Sequence, residues 1–153
     1  MDHFTHTCRR HGLKITPQRT AIYNFLKDAK THPSADQVHK KLKGTFPHMS
    51  LDTVNRTLLT FADIGIIQVL EGQGDPRRFD PDLSEHHHFY CLGCRQIFDF
   101  HSNALTHFSP SEELPGDFTI THQRICLTGY CPHCKKDIPN NPPNLKGETQ
   151  WPA

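Results

Sequence analysis

Four of the six cysteines in this sequence of 153 residues are spaced as metal ligands. Cys91 and Cys94 form one Cys-x-x-Cys pair, and Cys131 and Cys134 form another after 36 intervening residues. Each pair presents two sulfurs on one side of a tight turn, so two pairs supply the four ligands of a tetrahedral zinc ion. Because four protein ligands leave no open position, we expect a structural zinc site that joins distant strands. Two disulfides or chance spacing are the alternatives.

A second group of ligands surrounds the first cysteine pair, in the stretch EHHHFYCLGCRQIFDF. If this stretch begins as a strand, His86 and His88 lie on one face and His87 on the other. Asp99 belongs to the next predicted strand, and Asp80 precedes the histidines by six residues. Imidazole and carboxylate ligands together suit iron, manganese, nickel or zinc. We therefore expect a second metal site, although a single histidine is more often a surface or hydrogen-bonded residue.

Charge and composition divide the chain into two modules. Residues 1–79 hold 12 Lys and Arg against 7 Asp and Glu, whereas residues 80–153 hold 5 against 9. This division indicates an anion-binding module joined to a cation-binding one. The sequence has no apolar run of about 20 residues and no signal-peptide core, which predicts a reducing, cytoplasmic location. We assign no role to Cys8 and Cys126.

The basic half has the pattern of a helical domain. We expect a short helix over residues 2–11 and a second helix that begins at Thr16-Pro17. Ser34 begins a third, with Gln37 completing a capping box, and Ser50 begins a fourth. Their spacing places these apolar residues inward: Ala21, Ile22, Phe25, Leu26, Ala29, Ala35, Val38, Leu42, Leu51, Val54, Leu58, Phe61 and Ala62.

The last two of these helices form a helix-turn-helix, and the strands IIQVLE and RRFD around a Gly-rich turn complete a winged-helix pattern. A small helical domain without a nucleic-acid role is the alternative. The basic charge and the polar face of the fourth helix favour DNA. The candidate DNA contacts are Lys14, Arg19, Thr53, Asn55, Arg56, Thr57, Thr60 and Arg77.

We predict an α+β protein with a winged helix-turn-helix domain over residues 1–79 and a hinge over residues 80–84. Residues 85–134 would form a strand-rich α/β dimerisation domain with the strands HHFYC, RQIFDF and FTITHQRICLTGYC. A short helix is expected at 103–108, and the sheet edge could pair with a second copy. Residues 135–153 are rich in Pro and Asn and are expected to be disordered.

The chain resembles the ferric uptake regulator family, whose members are dimeric, metal-dependent bacterial repressors. The resemblance spans residues 10–134 and rests on GLKITPQRTAI, HPSADQVHKKL, LDTVNRTL, RRFD, HHHFYCLGC and GYCPHC. It implies double-stranded operator DNA as the partner and structural zinc at the four paired cysteines. It also implies a regulatory ion that bridges the two halves and is held by His32, Asp80, His86, His88 and Asp99. His32 is implied only because HPSAD matches the family motif.

The ligand types resemble the peroxide-sensing branch, because iron-uptake repressors commonly carry Glu where this chain has Asp80 and Asp99. In that branch, iron-bound peroxide oxidises a ligand histidine and the repressor leaves DNA. Zinc-uptake members usually add a cysteine near the hinge, and none occurs between Gly65 and Phe89.

Two features depart from the family pattern. A third metal site would use Glu85, His87 and His122, but the spacing around His122 differs by one residue. The recognition helix reads TVNR where the family usually has TVYR, which leaves the operator sequence open at Asn55. Asparagine can bind adenine through two hydrogen bonds.

The sequence therefore predicts a metal-dependent DNA-binding repressor that senses Fe²⁺ or Mn²⁺ and peroxide, and that is not an enzyme. A metal-uptake regulator that does not sense peroxide is the nearest alternative. A metalloenzyme and a metal carrier are further alternatives. Against a metalloenzyme, no Glu or His stands out as a general base in a substrate pocket.

Overall fold

The computed structural model describes residues 3–70, 76–107, 116, 118–120 and 123–137. The chain divides into two compact units, Met1–Glu85 and His86–Ala153. Of the tail predicted to be disordered, residues 135–137 lie in the 3-10 helix Cys134–Asp137, and residues 138–153 lie outside the described residues.

Four helices build the first unit, and the expected side-chain caps start three of them. Thr16 Oγ1 accepts a hydrogen bond from the Arg19 N–H, and Ser50 Oγ accepts one from the Thr53 N–H. Ser34 and Gln37 form the complete capping box. The helices are α1 His3–Arg10, α2 Pro17–Asp28, α3 Ala35–Leu42 and α4 Leu51–Asp63.

The core of this unit forms where the apolar stripes of the helices meet. Its fully buried members include Ile22, Leu26, Val38, Val54, Leu58 and Phe61. The prediction for Leu51 is wrong, because its side chain is 42% exposed. The whole first turn of α4, residues 50–53, is exposed, so the helix enters the core only at Val54.

Two antiparallel strands form the wing, β1 Gln68–Leu70 and β2 Arg78–Asp80. The predicted turn at 71–75 lies outside the described residues.

Asp80 was expected in the hinge, but it is the last residue of β2 and pairs with Gln68. Its side chain is buried, and Oδ1 accepts a hydrogen bond from the Asp82 N–H at 2.8 Å.

The second unit is built on a three-stranded sheet of order β4-β3-β5. The strands are β3 His87–Cys91, β4 Ile97–Phe100 and β5 Cys126–Gly129. β4 pairs antiparallel with β3, and β5 pairs parallel with it. The strand expected over 118–131 is shorter than predicted, since residues 118–120 and 123–125 are not in it. A short helix, α5 Asn103–Thr106, follows β4. None of the helices among the described residues is long and apolar enough to cross a membrane.

Candidate metal sites and DNA-contacting surface

The four paired cysteines come together in the second unit. Cys91 ends β3, Cys94 lies in the following turn, Cys131 follows β5, and Cys134 begins a 3-10 helix. One sulfur from each lies within 4.8 Å of all the others, and the Cys94 and Cys131 sulfurs are 4.0 Å apart. A tetrahedral zinc ion with Zn–S bonds of about 2.3 Å requires sulfurs about 3.8 Å apart. The cluster therefore fits zinc, and the disulfide alternative is wrong because none of these four cysteines, all of them described, is in a disulfide.

The thiols of the cluster differ in pKa because each has its own surroundings. Burial raises the pKa of the Cys91 thiol, but hydrogen bonds from the backbone of Cys131, Cys94 and Gly93 outweigh this and lower the pKa to about 6. Burial and the neighbouring cysteine side chains raise the pKa of Cys134 to about 12. Like charges in one site oppose each other's ionisation, so four thiolates require a bound cation.

Two histidines and one carboxylate converge elsewhere in the second unit. The Nε2 atoms of His86 and His88 are 3.0 Å apart, and both imidazoles are buried. Asp99 Oδ1 lies 3.7 Å from the first nitrogen and 3.4 Å from the second. Asp99 is brought there because it pairs with His88 across β3 and β4. Adjacent ligands of an octahedral ion with bonds of about 2.1 Å lie about 3.0 Å apart, so the three donors fit one ion.

The first unit contributes two donors of its own. His32 Nε2 lies 3.7 Å from Asp80 Oδ1, and both side chains are buried. His32 has a φ of 48°, a left-handed conformation that is uncommon for residues other than glycine and often marks a functional position. Arg78 Nη1 donates to the His32 carbonyl at 3.4 Å, and the Phe79 N–H donates to the Pro33 carbonyl at 3.2 Å. These bonds attach the His32 segment to the wing strand that carries Asp80.

His87 has a different role from its neighbours. It is fully buried, its Nε2 lies 3.1 Å from Thr106 Oγ1, and its Nδ1 accepts the Ile125 N–H at 3.4 Å. Both ring nitrogens therefore have hydrogen-bond partners within the protein, which argues against His87 as a ligand of the predicted third metal site. Glu85 is exposed, and His122 lies outside the described residues.

All but one of the candidate DNA contacts are exposed or partly exposed on the first unit. Thr53, Arg56 and Arg77 are exposed, and Asn55 is partly exposed. The placement of Thr57 on the exposed face is wrong, because it is buried and its hydroxyl donates to the Thr53 carbonyl at 2.8 Å. This hydrogen bond to the helix backbone uses the hydroxyl proton of Thr57, so the hydroxyl is not available to donate to a base.

Of the remaining candidates, Lys14 precedes α2, Arg19 lies in its first turn, and Thr60 lies on α4. Arg19 Nη1 donates to the Lys14 carbonyl at 2.6 Å, which holds two basic residues together. Thr60 Oγ1 donates to the Arg56 carbonyl at 2.8 Å, so this hydroxyl is also engaged within the helix.

Comparison with known proteins agrees with this geometry. The model of the ferric uptake regulator family matches residues 10–128. The chain belongs to this family. A peroxide-responsive repressor PerR of Staphylococcus saprophyticus is 38% identical over 83% of this chain and 86% of its own length. The peroxide operon regulator of Bacillus subtilis is 36% identical over 85% of this chain and 90% of its own.

A solved structure shares the fold. The crystal structure of the Campylobacter jejuni peroxide stress regulator has a TM-score of 0.66 and 26% identity, and the match covers 88% of this chain and all of that chain. The protein is thus a metal-dependent DNA-binding transcriptional regulator, not an enzyme. Its cysteine cluster is consistent with a structural zinc site. Regulators of this family bind operator DNA and are typically dimers.

Proposed function

We propose that the protein is a peroxide-responsive repressor whose regulatory ion takes ligands from both units. The observation that carries this proposal is the convergence of His86 Nε2, His88 Nε2 and Asp99 Oδ1 within 3.7 Å of one another. A second set, His32 and Asp80, lies in the first unit. The proposed ligands are therefore His32, Asp80, His86, His88 and Asp99.

Neither set is sufficient for the ion by itself. The first unit offers two donors and the second offers three, whereas iron and manganese favour about six coordination positions with mixed nitrogen and oxygen ligands. Because the donors are imidazoles and carboxylates rather than thiolates, they suit these harder ions better than the cysteine cluster does. An ion that gathers all five donors satisfies most of its coordination shell from the protein.

Such an ion would act as a switch between arrangements of the two units. Ligands from both units meet around one ion in only one arrangement, so metal binding stabilises that arrangement over the others. The ion shifts the equilibrium by no more than its difference in affinity between the arrangements. The favoured arrangement would set the spacing of two winged helices so that both enter major grooves of one operator.

We place the homodimer contact on the second unit, where apolar side chains remain exposed on the sheet. Phe98 and Leu127 flank Phe89 in register across the three strands, and both are more than two-fifths exposed. Burying this face against a second copy would remove apolar surface from water.

Peroxide would act on a ligand histidine of the iron form. Hydrogen peroxide would transfer one oxygen atom to a ring carbon of His32 or His86 and leave as water. The modified ring is a poorer ligand, so the bridging ion and the DNA-binding arrangement would be lost together. The aspartates at both acid positions and the two peroxide-responsive relatives support this branch.

A gel-shift series with Fe²⁺, Mn²⁺, Zn²⁺ and Ni²⁺, each with and without peroxide, tests the proposal. We expect Fe²⁺ and Mn²⁺ to support binding of a specific duplex, and peroxide to abolish it only with Fe²⁺. Mass spectrometry should then show a histidine peptide heavier by one oxygen atom in the iron form and not in the manganese form. Peroxide-released protein with unmodified histidines would instead favour a metal-uptake repressor that does not sense peroxide.

A further inference from the structure

We propose that Leu51 is a specificity-determining residue that contacts the 5-methyl group of a thymine in the operator. This inference rests on the proposed operator binding and names one base that the protein would select. Leu51 begins α4, and its side chain is 42% exposed although its sequence position suggests a core residue.

The position of Leu51 distinguishes it from an ordinary exposed leucine. Single apolar residues are common on protein surfaces and need no function. Leu51, however, precedes Asn55 by four residues, so the two side chains share one face of α4. Both line one concave surface of about 470 Å³, together with Pro76 and Arg77 next to the wing strand. The leucine thus lines the same surface as a candidate base-reading amide and a wing cation.

The acidic residues of the same surface are adjacent to basic ones. Asp52 Oδ2 lies 3.9 Å from Arg56 Nη1, and Asp36 Oδ2 lies 2.7 Å from Lys40 Nζ. These exposed i,i+4 pairs are weak, so both cations remain able to reach phosphates. Arg77 adds a third cation on the side of the wing.

The chemistry of the major groove identifies the group that an aliphatic side chain can read. Thymine presents the C5-methyl group as an apolar contact, whereas asparagine binds the N6 and N7 atoms of adenine. Four helical residues rise about 6 Å, which is less than two base-pair steps of 3.4 Å. The thymine read by Leu51 should therefore lie within about two base pairs of the adenine read by Asn55.

Replacing thymine by uracil removes only this methyl group and provides the test. A duplex is first selected from a random pool by the manganese-loaded wild-type protein, and each of its thymines is then replaced singly by uracil. Burial of one methyl group corresponds to about a fourfold change in affinity. We expect one such replacement to weaken wild-type binding by about that factor, and Leu51→Ala to bind the thymine and uracil duplexes equally.

Leu83→Ala serves as the matched control, because Leu83 is exposed to a similar extent but lies outside the concave surface. It should retain the wild-type preference for thymine. Alanine is a strong helix former at an exposed position, so circular dichroism should show Leu51→Ala to be folded.

The outcomes separate this inference from the function on which it rests. If the manganese-loaded protein selects no sequence, operator binding itself is refuted and the inference with it. If a sequence is selected but no thymine is preferred over uracil, or Leu51→Ala keeps the same preference, only the role of Leu51 is refuted.

Discussion

Gly93 lies so close to Cys134 that a Cβ atom on Gly93 would stand 2.7 Å from the Cys134 Cβ and 2.8 Å from its sulfur. Real Cβ atoms do not approach other atoms so closely, and Cys134 is too short to move aside without a backbone shift. The glycine of the first Cys-x-x-Cys turn is therefore needed for the second turn to pack against it. The approach of the two turns is what gathers the four sulfurs.

Gly93→Ala should for this reason weaken zinc retention. Forced overpacking typically costs about 1–3 kcal/mol, and here the strain acts directly on a ligand. The rate of zinc loss to a chelator should rise, with lower thermal stability of the zinc-loaded protein. Gly44→Ala is the matched control, because no atom of the described residues, its own chain neighbours apart, lies within 4 Å of the place its methyl group would take. Equal zinc retention in both variants would contradict the packing argument.

Cys131→Ser should lose zinc and the dimer together. Cys131 supplies one sulfur, and its backbone N–H also lies 3.3 Å from the Cys91 sulfur that it stabilises. Loss of one thiolate leaves the cation site incomplete, and the metal's contribution to folding is lost with it. Zinc content and sedimentation measure both effects, with Cys126→Ser, an exposed cysteine outside the cluster, as the control. A folded, dimeric Cys131→Ser protein without zinc would refute the structural role of the ion.

The sequence predicted those parts of the fold that depend on local patterns. The caps at Thr16, Ser34 and Ser50 form as predicted, because each depends on a side chain and a backbone group three residues apart. The spacing of the two cysteine pairs likewise predicted their cluster. These features need little information from distant residues.

The remaining errors come from tertiary context. Helical periodicity placed Leu51 and Thr57 on opposite faces. Periodicity cannot show at which residue α4 begins to pack into the core, or how wide its buried face is, so both assignments were wrong. His32 has no local signal: its left-handed backbone and its contact with Asp80 depend on the wing strand, 46 residues later in the chain. Only the family motif indicated it.

Arg56→Ala should weaken operator binding by about 1–3 kcal/mol, which is about 5- to 150-fold, if Arg56 contacts a base. The side chain is 79% exposed and its pairing with Asp52 at 3.9 Å is weak, so its removal should leave metal content and dimerisation unchanged. Lys40→Ala, which removes an equally exposed i,i+4 partner on α3, is the control and should change affinity less. An Arg56→Ala affinity within about threefold of wild type would show that the recognition helix is misplaced.

His32→Ala should weaken operator binding far more than it weakens zinc retention at the cysteines. His32 is a proposed ligand from the DNA-binding unit, so its loss removes the connection through which the ion favours one arrangement of the units. Outer-shell changes at metal sites already cost about 10–100-fold in metal affinity, and loss of a ligand should cost at least as much. Isothermal titration with Mn²⁺ and gel shifts at fixed Mn²⁺ measure the two effects separately.

His32→Asn distinguishes loss of the ligand from damage to the backbone. Asparagine tolerates the left-handed conformation that His32 adopts at φ 48°, whereas alanine does not favour it. If the imidazole itself matters, both variants should lose Mn²⁺-dependent DNA binding, while His11→Ala, an exposed histidine of the same unit, should behave as wild type. Wild-type operator affinity for His32→Ala at saturating metal would end the bridging model. Recovery of binding in His32→Asn alone would show that His32 acts through the backbone it shares with the wing strand, not through the ion.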